Sequence, residues 1–434
     1  MEIITGIILL IGLLVLGVKV PFCFGATIIW YVYSLKLGTS WIISNGYAKV
    51  NSILLLSIPM FILAGGIMEK GKLSDVLIGF IEKFVGWIKG SLAIIVIVAS
   101  AAFGAVSGSG AATLSCIGSI MSPRMKKSGY SDGHIAAVIA CSAPLGLLIP
   151  PSGLMIVFAW TAGQSVLACF LSTLIPGIIL TVLLCIVNYF MLRNNNKIIV
   201  TQKETFKKWS MNLGHRTIIA FPALLMPVII LGGIYGGIMT PTESAAISVM
   251  YAFLVTLLIY KDIKIQNIKD TFTSTATTTG VIMISLFTCT LLGKVFVLAN
   301  LPNIMMKTML SISDNNHIIL FMINIFLIII GMLMDDISGI LLCTPILMPI
   351  ALKIGIHPIH FAAIMGVNMG LANITPPSAP FLYLGARLVK CNVSPMLMPV
   401  VLMIIFAWVP TLIITTLFPE ISLYLPRLIL GTRF

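Results

Sequence analysis

The chain has 434 residues, of which 59% are hydrophobic and 9% charged, with a formal net charge of +13. Soluble domains carry about 25% charged residues, so a soluble globule is excluded, and apolar runs of about 18 or more residues recur from end to end, as in a polytopic helical membrane protein. In such a protein the positive charge belongs to basic cytoplasmic loops and not to a nucleic-acid surface.

In chain order, Met1-Glu2-Ile3-Ile4 places an acid where a signal peptide has a basic region, and no small-residue cleavage site follows. The first apolar segment is therefore expected to be a retained helix. Apolar segments lie near 3–18, 22–38 and 52–67. Residues 73–89 are amphipathic, with Lys83, Trp87 and Lys89, which suits a helix lying in the interface plane. The run 92–121 is interrupted at Val106-Ser107-Gly108-Ser109-Gly110-Ala111-Ala112-Thr113. Each arm is about a dozen residues, too short to span, which predicts a re-entrant hairpin. Basic Arg124, Lys126 and Lys127 follow, then a broken helix over 134–162 and a helix over 166–192. The longest polar stretch, 193–216, reads as a loop with a short surface helix. Helices are expected near 217–234, 243–260 and 276–298, then a short amphipathic piece at 300–311. A second interrupted run, 318–351, turns at Met334-Asp335-Asp336-Ile337-Ser338-Gly339, and a second broken helix covers 360–388. A last helix covers 396–417. The eight cysteines are scattered, mostly in apolar segments, without CxxC or Cys/His pairing, and read as small buried hydrophobes.

Both broken helices turn on a double proline, Gly146-Leu-Leu-Ile-Pro150-Pro151-Ser152-Gly153 and Ala372-Asn-Ile-Thr-Pro376-Pro377-Ser378-Ala379. Two consecutive prolines remove two donors and clash with the preceding turn, so neither helix runs through. Backbone broken at membrane depth survives only inside protein or along a polar cavity. Plain proline kinks in packing helices are the bland alternative. The two breaks belong to an internal repeat: a shift of 226 positions aligns Lys127 to Ser152 with Lys353 to Ser378 without a gap. His134/His360, Ala136/Ala362, Ala137/Ala363, Pro150/Pro376, Pro151/Pro377 and Ser152/Ser378 match in that register. Placing the basic loops 69–89, 124–127, 193–216, 261–269 and 387–390 on one side, with Lys19, collects about 19 of the 26 Lys and Arg residues there. That orientation sends the two hairpins in from opposite sides, so the repeats are inverted, and it puts both termini outside.

Ser107, Gly108, Ser109 and Gly110 offer hydroxyls, carbonyls and close backbone approach. With the break at 146–152 they would form an oxygen cage for a small hard cation, with half-helix ends facing an anion. The competing explanation is a small-residue crossing of tightly packed helices. Asp335 and Asp336 admit two readings, attraction of a cation at membrane depth or capping of the following helix arm. An aspartic protease needs its two aspartates on separate helices, which a neighbouring pair does not supply. Thr240-Pro241-Thr242-Glu243 reads as a capping box, which accounts for Glu243 without proton transport. His134 and His360 begin the broken helices and are expected to be structural. No GxxxxGK[ST] loop is present, so no ATP site is expected.

Six stretches carry a family resemblance: Leu56-Ser-Ile-Pro-Met-Phe-Ile-Leu-Ala-Gly65, Gly104-Ala-Val-Ser-Gly-Ser109, Ile149-Pro-Pro-Ser152, Gly232-Gly-Ile-Tyr-Gly-Gly-Ile-Met-Thr-Pro-Thr-Glu243, Thr344-Pro-Ile-Leu-Met-Pro349 and Asn368 through Thr375-Pro-Pro377. In that order, over essentially the whole chain, they resemble the large membrane subunit of tripartite ATP-independent periplasmic (TRAP) transporters. The resemblance implies an all-α polytopic fold of inverted repeats, each with a re-entrant hairpin and a broken helix, moving as an elevator. It implies sodium-coupled uptake of an organic acid (sialic acid, a C4-dicarboxylate or another), with no enzymatic activity and no cofactor beyond sodium. The implied partners are a small four-helix membrane subunit, a periplasmic binding protein that delivers the acid, and membrane lipid; the implied location is the bacterial inner membrane.

Carried over by position, Ser107, Gly108, Ser109 and Gly146 would hold one cation, and Asp335, Ile337, Ser338 and Thr375 another. Substrate would lie between the tips, against Ser109, Pro150, Pro151 and Ser152 on one side and Ser338, Pro376, Pro377 and Ser378 on the other. Residues 1–91 would be scaffold and interfacial arm, 92–165 the first transport repeat, 166–315 scaffold and connecting arm, 316–392 the second transport repeat, and 393–434 the C-terminal helix. The chain departs from the family pattern at Gly110-Ala-Ala-Thr113, at Pro144 and Leu147, and at Ser378-Ala379, which leaves substrate identity and ion stoichiometry open. A standalone sodium- or proton-coupled anion carrier is the alternative. A channel would show flux without saturation.

Overall fold

The computed structural model describes residues 2–71, 73–86, 89–195, 198, 206–260, 265–377 and 379–431. They form twenty-two α-helices, and no strand occurs among them. The first six are α1 (Glu2–Val15), α2 (Val20–Ser34), α3 (Ser40–Val50), α4 (Ser57–Lys70), α5 (Leu73–Val85) and α6 (Ser91–Ser107). Then come α7 (Gly110–Lys127), α8 (Asp132–Ser142), α9 (Leu145–Leu148), α10 (Gly153–Ala162), α11 (Val166–Leu192) and α12 (Phe206–Tyr235). After these follow α13 (Pro241–Leu254), which runs on as a π segment to Tyr260, and α14 (Ile265–Leu298). The chain continues with α15 (Leu301–Ile312), α16 (Asn316–Leu333), α17 (Asp336–Lys353), α18 (Pro358–Ala372) and α19 (Pro380–Val389). The last three are α20 (Ser394–Met403), joined by the π segment Ile404–Trp408 to α21 (Val409–Leu417), and α22 (Pro419–Leu430). Among the described residues eight helices are long and apolar enough to cross a membrane, nine if α8–α10 is one bent span.

Several elements differ from the sequence expectation. The arms flanking Gly108 and Ser109 are 17 and 18 residues long, not a dozen, because α7 continues through Pro123 and the basic Arg124, Lys126 and Lys127. The basic cluster thus closes the last turn of a helix, where cations offset the exposed carbonyl ends. Helix α14 begins at Ile265, eleven residues before the apolar run; its first turns are rich in Thr and Ser, which hydropathy alone does not mark as helical. Helices α3 and α22 were also not expected. Much of the polar stretch 193–216 lies outside the described residues, as do Lys72, Trp87 and Ser378.

The two repeat-equivalent broken helices occupy the centre. Every residue from Gly133 to Ser142 in α8 and from Ile359 to Ala372 in α18 is buried. A helix apolar on all sides has no solvent face and belongs inside. Helices α19 and α20 pack on α8, and α11, α16 and α21 on α18. Exposed Ile4, Ile8, Val182, Phe190, Ile218 and Phe406 lie at the periphery, where an aqueous surface would carry charge but a lipid-facing one does not. The bent span turns by 43° between α8–α9 and α10, and both Pro150–Pro151 and Pro376–Pro377 are cis.

The repeat-equivalent histidines are held alike. His134 Nε2 lies 2.9 Å from Asn188 Oδ1 of α11, and His360 Nε2 donates to the Thr415 carbonyl of α21 at 2.8 Å. Each ties the start of a broken helix to a neighbour. The capping box is formed as expected: the Glu243 amide donates to Thr240 Oγ1 at 3.3 Å, and the Thr240 amide donates back to Glu243 Oε2 at 2.7 Å.

Candidate functional site

The first tip is locked to the first break through backbone. Gly108 has φ +59°, the left-handed conformation that glycine alone adopts freely, and a Cβ there would lie 2.7 Å from the Pro151 carbonyl oxygen. Its own carbonyl accepts from the Gly153 amide at 3.2 Å. One turn earlier, a Cβ on Gly104 would stand 2.6 Å from the Gly146 Cα. Only a pair of glycines permits that crossing. Ser109 caps α7, its Oγ accepting from the Ala112 amide at 3.4 Å. Its carbonyl accepts from Thr113 Oγ1 at 2.8 Å, and the Ser107 and Thr113 hydroxyls are 3.3 Å apart. Three oxygens, Ser107 Oγ, Thr113 Oγ1 and the Ser109 carbonyl, therefore gather against Gly146, whose absent side chain leaves them room: a Cβ there would be 2.5 Å from Thr113 Oγ1.

At the second tip Asp335 caps α17, its Oδ2 accepting from the Ser338 amide at 3.2 Å, while Asp336 Oδ1 accepts from the Ile337 amide at 3.1 Å. The capping reading of Asp335 is thus met, and its carboxylate still lines the cavity described below. The Ser338 hydroxyl is buried without a partner. Gly339 lets the tip settle on α18, where a Cβ would be 2.7 Å from Met369 Sδ. At the second break Thr375 Oγ1 donates to the Leu371 carbonyl at 2.7 Å, and Pro376 and Pro377 are exposed.

Both tips line one cavity of about 1050 Å³. Ser107, Gly108, Ser109, Asp335 and Ile337 are brought together on it. Gly146 lies behind the first tip, and Ser338 is buried behind the second. Pro150, Pro151, Ser152, Thr375, Pro376 and Pro377 do not line it; Gly153, Leu154 and Phe381, just past the breaks, do. Ser152 is turned inward instead, donating to the Leu147 carbonyl and accepting from the Met155 amide, a helix cap in a fully buried place. Sequence reasoning missed the rest of the lining, formed by Ile58, Phe61 and Gly66 of α4 and by a polar stripe of α14. It also missed Thr113 as a ligand-type hydroxyl. The run Asp270-Thr-Phe-Thr-Ser-Thr-Ala-Thr-Thr-Thr279 was the available signal, since hydroxyls three and four apart share a helix face. Among the described residues no group of three or more His, Cys, Asp or Glu is placed to hold a metal ion; the oxygens at the first tip are hydroxyls and a carbonyl, the donor set of a hard cation.

Residues 7–421 match the family described as "Tripartite ATP-independent periplasmic transporter, DctM component". The chain belongs to this family. It is 30% identical over 97% of its length to the sialic acid TRAP transporter large permease protein SiaM of Vibrio cholerae, 97% of which is covered. It is 33% identical, over 98% of its length and 97% of the relative's, to the C4-dicarboxylate TRAP transporter large permease protein DctM of the same organism. It is 31% identical to the isethionate TRAP transporter permease protein DctMQ of Oleidesulfovibrio alaskensis, over 95% of this chain, and spans 64% of that longer protein. Its fold is similar to the crystal structure of the YdaH transporter of Alcanivorax borkumensis, with a TM-score of 0.59 and 13% identity over 86% of this chain and 87% of the other. The chain is therefore a TRAP large permease, a multi-pass inner-membrane protein of a family whose members serve solute uptake. Large permeases of this family work with a small membrane subunit and a periplasmic binding protein.

Proposed function

We propose that this permease drives uptake of an organic acid with sodium, by an elevator movement of the two helix pairs and the two broken helices against the remaining helices. The observation that carries the reading is the single cavity lined by both tips. Gly110 and Ala111, the first residues of α7, line it together with Ser107 and Ser109 of the first tip. First-turn amides have no intrahelical acceptor and carry partial positive charge, so they suit a carboxylate. The hydroxyl and carbonyl oxygens of Ser107, Ser109 and Thr113 suit sodium, and Asp335 supplies negative charge at the second tip. Co-location of an anion site and a cation site makes each ligand favour the other, which is the basis of symport.

On this reading α6–α7 and α16–α17 are re-entrant hairpins of two inverted repeats. Residues 92–165 and 316–392 form the moving body, and 1–91 and 166–315 the scaffold and arms. Both termini lie outside, a small four-helix subunit braces the scaffold, and a binding protein supplies the acid. Relatives of nearly equal identity are named for sialic acid, for C4-dicarboxylates and for isethionate, a sulfonate, so an organic acid anion is the shared chemistry.

The test is uptake in proteoliposomes holding the permease, its small subunit and the binding protein, with and without an inward sodium gradient. Uptake should require all three proteins and sodium, and should collapse in Ser109→Ala and Thr375→Ala. Uptake indifferent to sodium or to the binding protein would replace this reading with a standalone carrier.

A further inference from the structure

A second cavity, of about 930 Å³, is an open groove between α2, α3 and α14, and neither tip lines it. Its lining is apolar over most of its length, with Ile28, Ile29 and Val32 of α2, Ile42 of α3, and Phe287 and Leu291 of α14. Gly25 keeps one end open, since a Cβ there would meet nothing within 4 Å. The other end is polar. Ser34, Lys36 and Thr39 gather where α2 gives way to α3, and Lys36 is the one charged residue among the described residues of the groove. No ion pair engages Lys36 among the described residues. The Ser34 hydroxyl is buried without a partner, so it has a proton to give. Tyr33 stands exposed at the same end, as a ring at a membrane interface does.

We propose that this groove holds an acyl chain of an anionic glycerophospholipid, with the phosphate at Lys36 and an ester or phosphate oxygen accepting from Ser34. Length selects the occupant. From Gly25 to Ser34, α2 rises about 14 Å. That is close to the roughly 15 Å that one leaflet contributes to a hydrocarbon core of about 30 Å. A partner's transmembrane helix needs about twice that length of groove. Charge selects the headgroup: a basic residue beside apolar surface attracts an anionic head, whereas a zwitterionic head brings its own cation to oppose it. The lipid would join α2 and α3 to α14, which also lines the cavity of the two tips. Such a lipid needs neither sodium nor an organic acid, so it stands whether or not the transport reading holds.

The test is native mass spectrometry of the permease purified with its small membrane subunit. The probes are phosphatidylglycerol, phosphatidylcholine with the same acyl chains, and glycerol phosphate as a headgroup without chains. Phosphatidylglycerol should be retained at concentrations where phosphatidylcholine is not, and glycerol phosphate should not be retained. Lys36→Gln should weaken retention of phosphatidylglycerol about fivefold and bring it level with phosphatidylcholine. Gly25→Leu should block the chain and weaken phosphatidylglycerol as well. It replaces glycine by a better helix former, so the fold should hold, which thermal unfolding checks. Lys49→Gln, on α3 but off the groove, should change nothing. Equal retention of the two lipids by the wild type overturns the proposal, as does either groove variant binding like the wild type. Glycerol phosphate held as tightly as the lipid also overturns it, leaving an anion site without a chain. If the complex retains no lipid, the groove belongs to the subunit and the proposal falls.

Discussion

A methyl on Gly104 would invade the backbone of Gly146, and one on Gly146 would run into Thr113 Oγ1 and the Ser109 carbonyl. At Gly104 the obstacle is main chain, which cannot swing aside as a side chain does. Overpacking of this kind costs about 1–3 kcal/mol, and here it would also displace Ser107 and Thr113. Gly104→Ala should therefore lower the melting temperature and abolish uptake, checked by thermal unfolding in detergent and by the proteoliposome assay. Glu243 gives the opposite expectation. Its carboxylate closes a capping box on an exposed helix start, away from the cavity. Glu243→Gln keeps an acceptor for the Thr240 amide, so uptake and its pH profile should match those of the wild type. A flattened pH profile would make Glu243 a proton carrier after all.

At the level of elements, each helix pair is joined by a two-residue turn whose second residue caps the following arm, Ser109 for α7 and Asp335 for α17. Asn caps a helix about as well as Asp, so Asp335→Asn separates the cap from the charge. We expect unchanged thermal stability and an apparent sodium affinity weakened several-fold, read from uptake against sodium concentration. Equal sodium dependence would leave Asp335 as a cap alone. The broken helices show how repeat-equivalent residues settle differently. The first break is buried and bound to its tip through Gly108 and Gly153, whereas Pro376 and Pro377 of the second are exposed. One cause is visible in the sequence: the Gly-rich first tip can approach backbone closely, while the second carries two carboxylates.

Across the whole molecule the two broken helices share a buried tryptophan. Trp408 Nε1 donates to the Cys141 carbonyl of α8 at 3.3 Å, and its ring lies over Gly370 of α18, where a Cβ would be 2.8 Å away. Gly370→Ala should push the ring out of register and destabilise both halves together, lowering the midpoint of a single unfolding transition. Two separated transitions would show the halves to be independent. Ion binding acts at the same scale. A ligand that binds only the folded state stabilises by about 2.7 kcal/mol at a hundred times its dissociation constant. Replacing potassium by sodium should therefore raise the melting temperature of the purified permease, and the rise should shrink in Ser109→Ala. No difference between the two ions would remove sodium from the mechanism.

The sequence by itself determined the polytopic helical class, the internal repeat, both helix breaks, both tips and the capping residues at Thr240 and Glu243. Those are local matters: hydropathy over a span, the donors removed by Pro-Pro, the φ that Gly108 adopts, the reach of a cap over three residues. It also carried the family in its ordered motifs. Only the tertiary structure decided which of those residues share a cavity. Ser152 and Ser109 look alike as hydroxyls beside a break or a tip, yet one is turned into the core and the other lines the cavity. The wall supplied by α14 lies some 160 residues along the chain from the first tip. Its hydroxyls read as ordinary helix residues until packing sets them on the same cavity as the tips. Long-range juxtaposition comes from the close packing of many helices at once, and no local pattern encodes it.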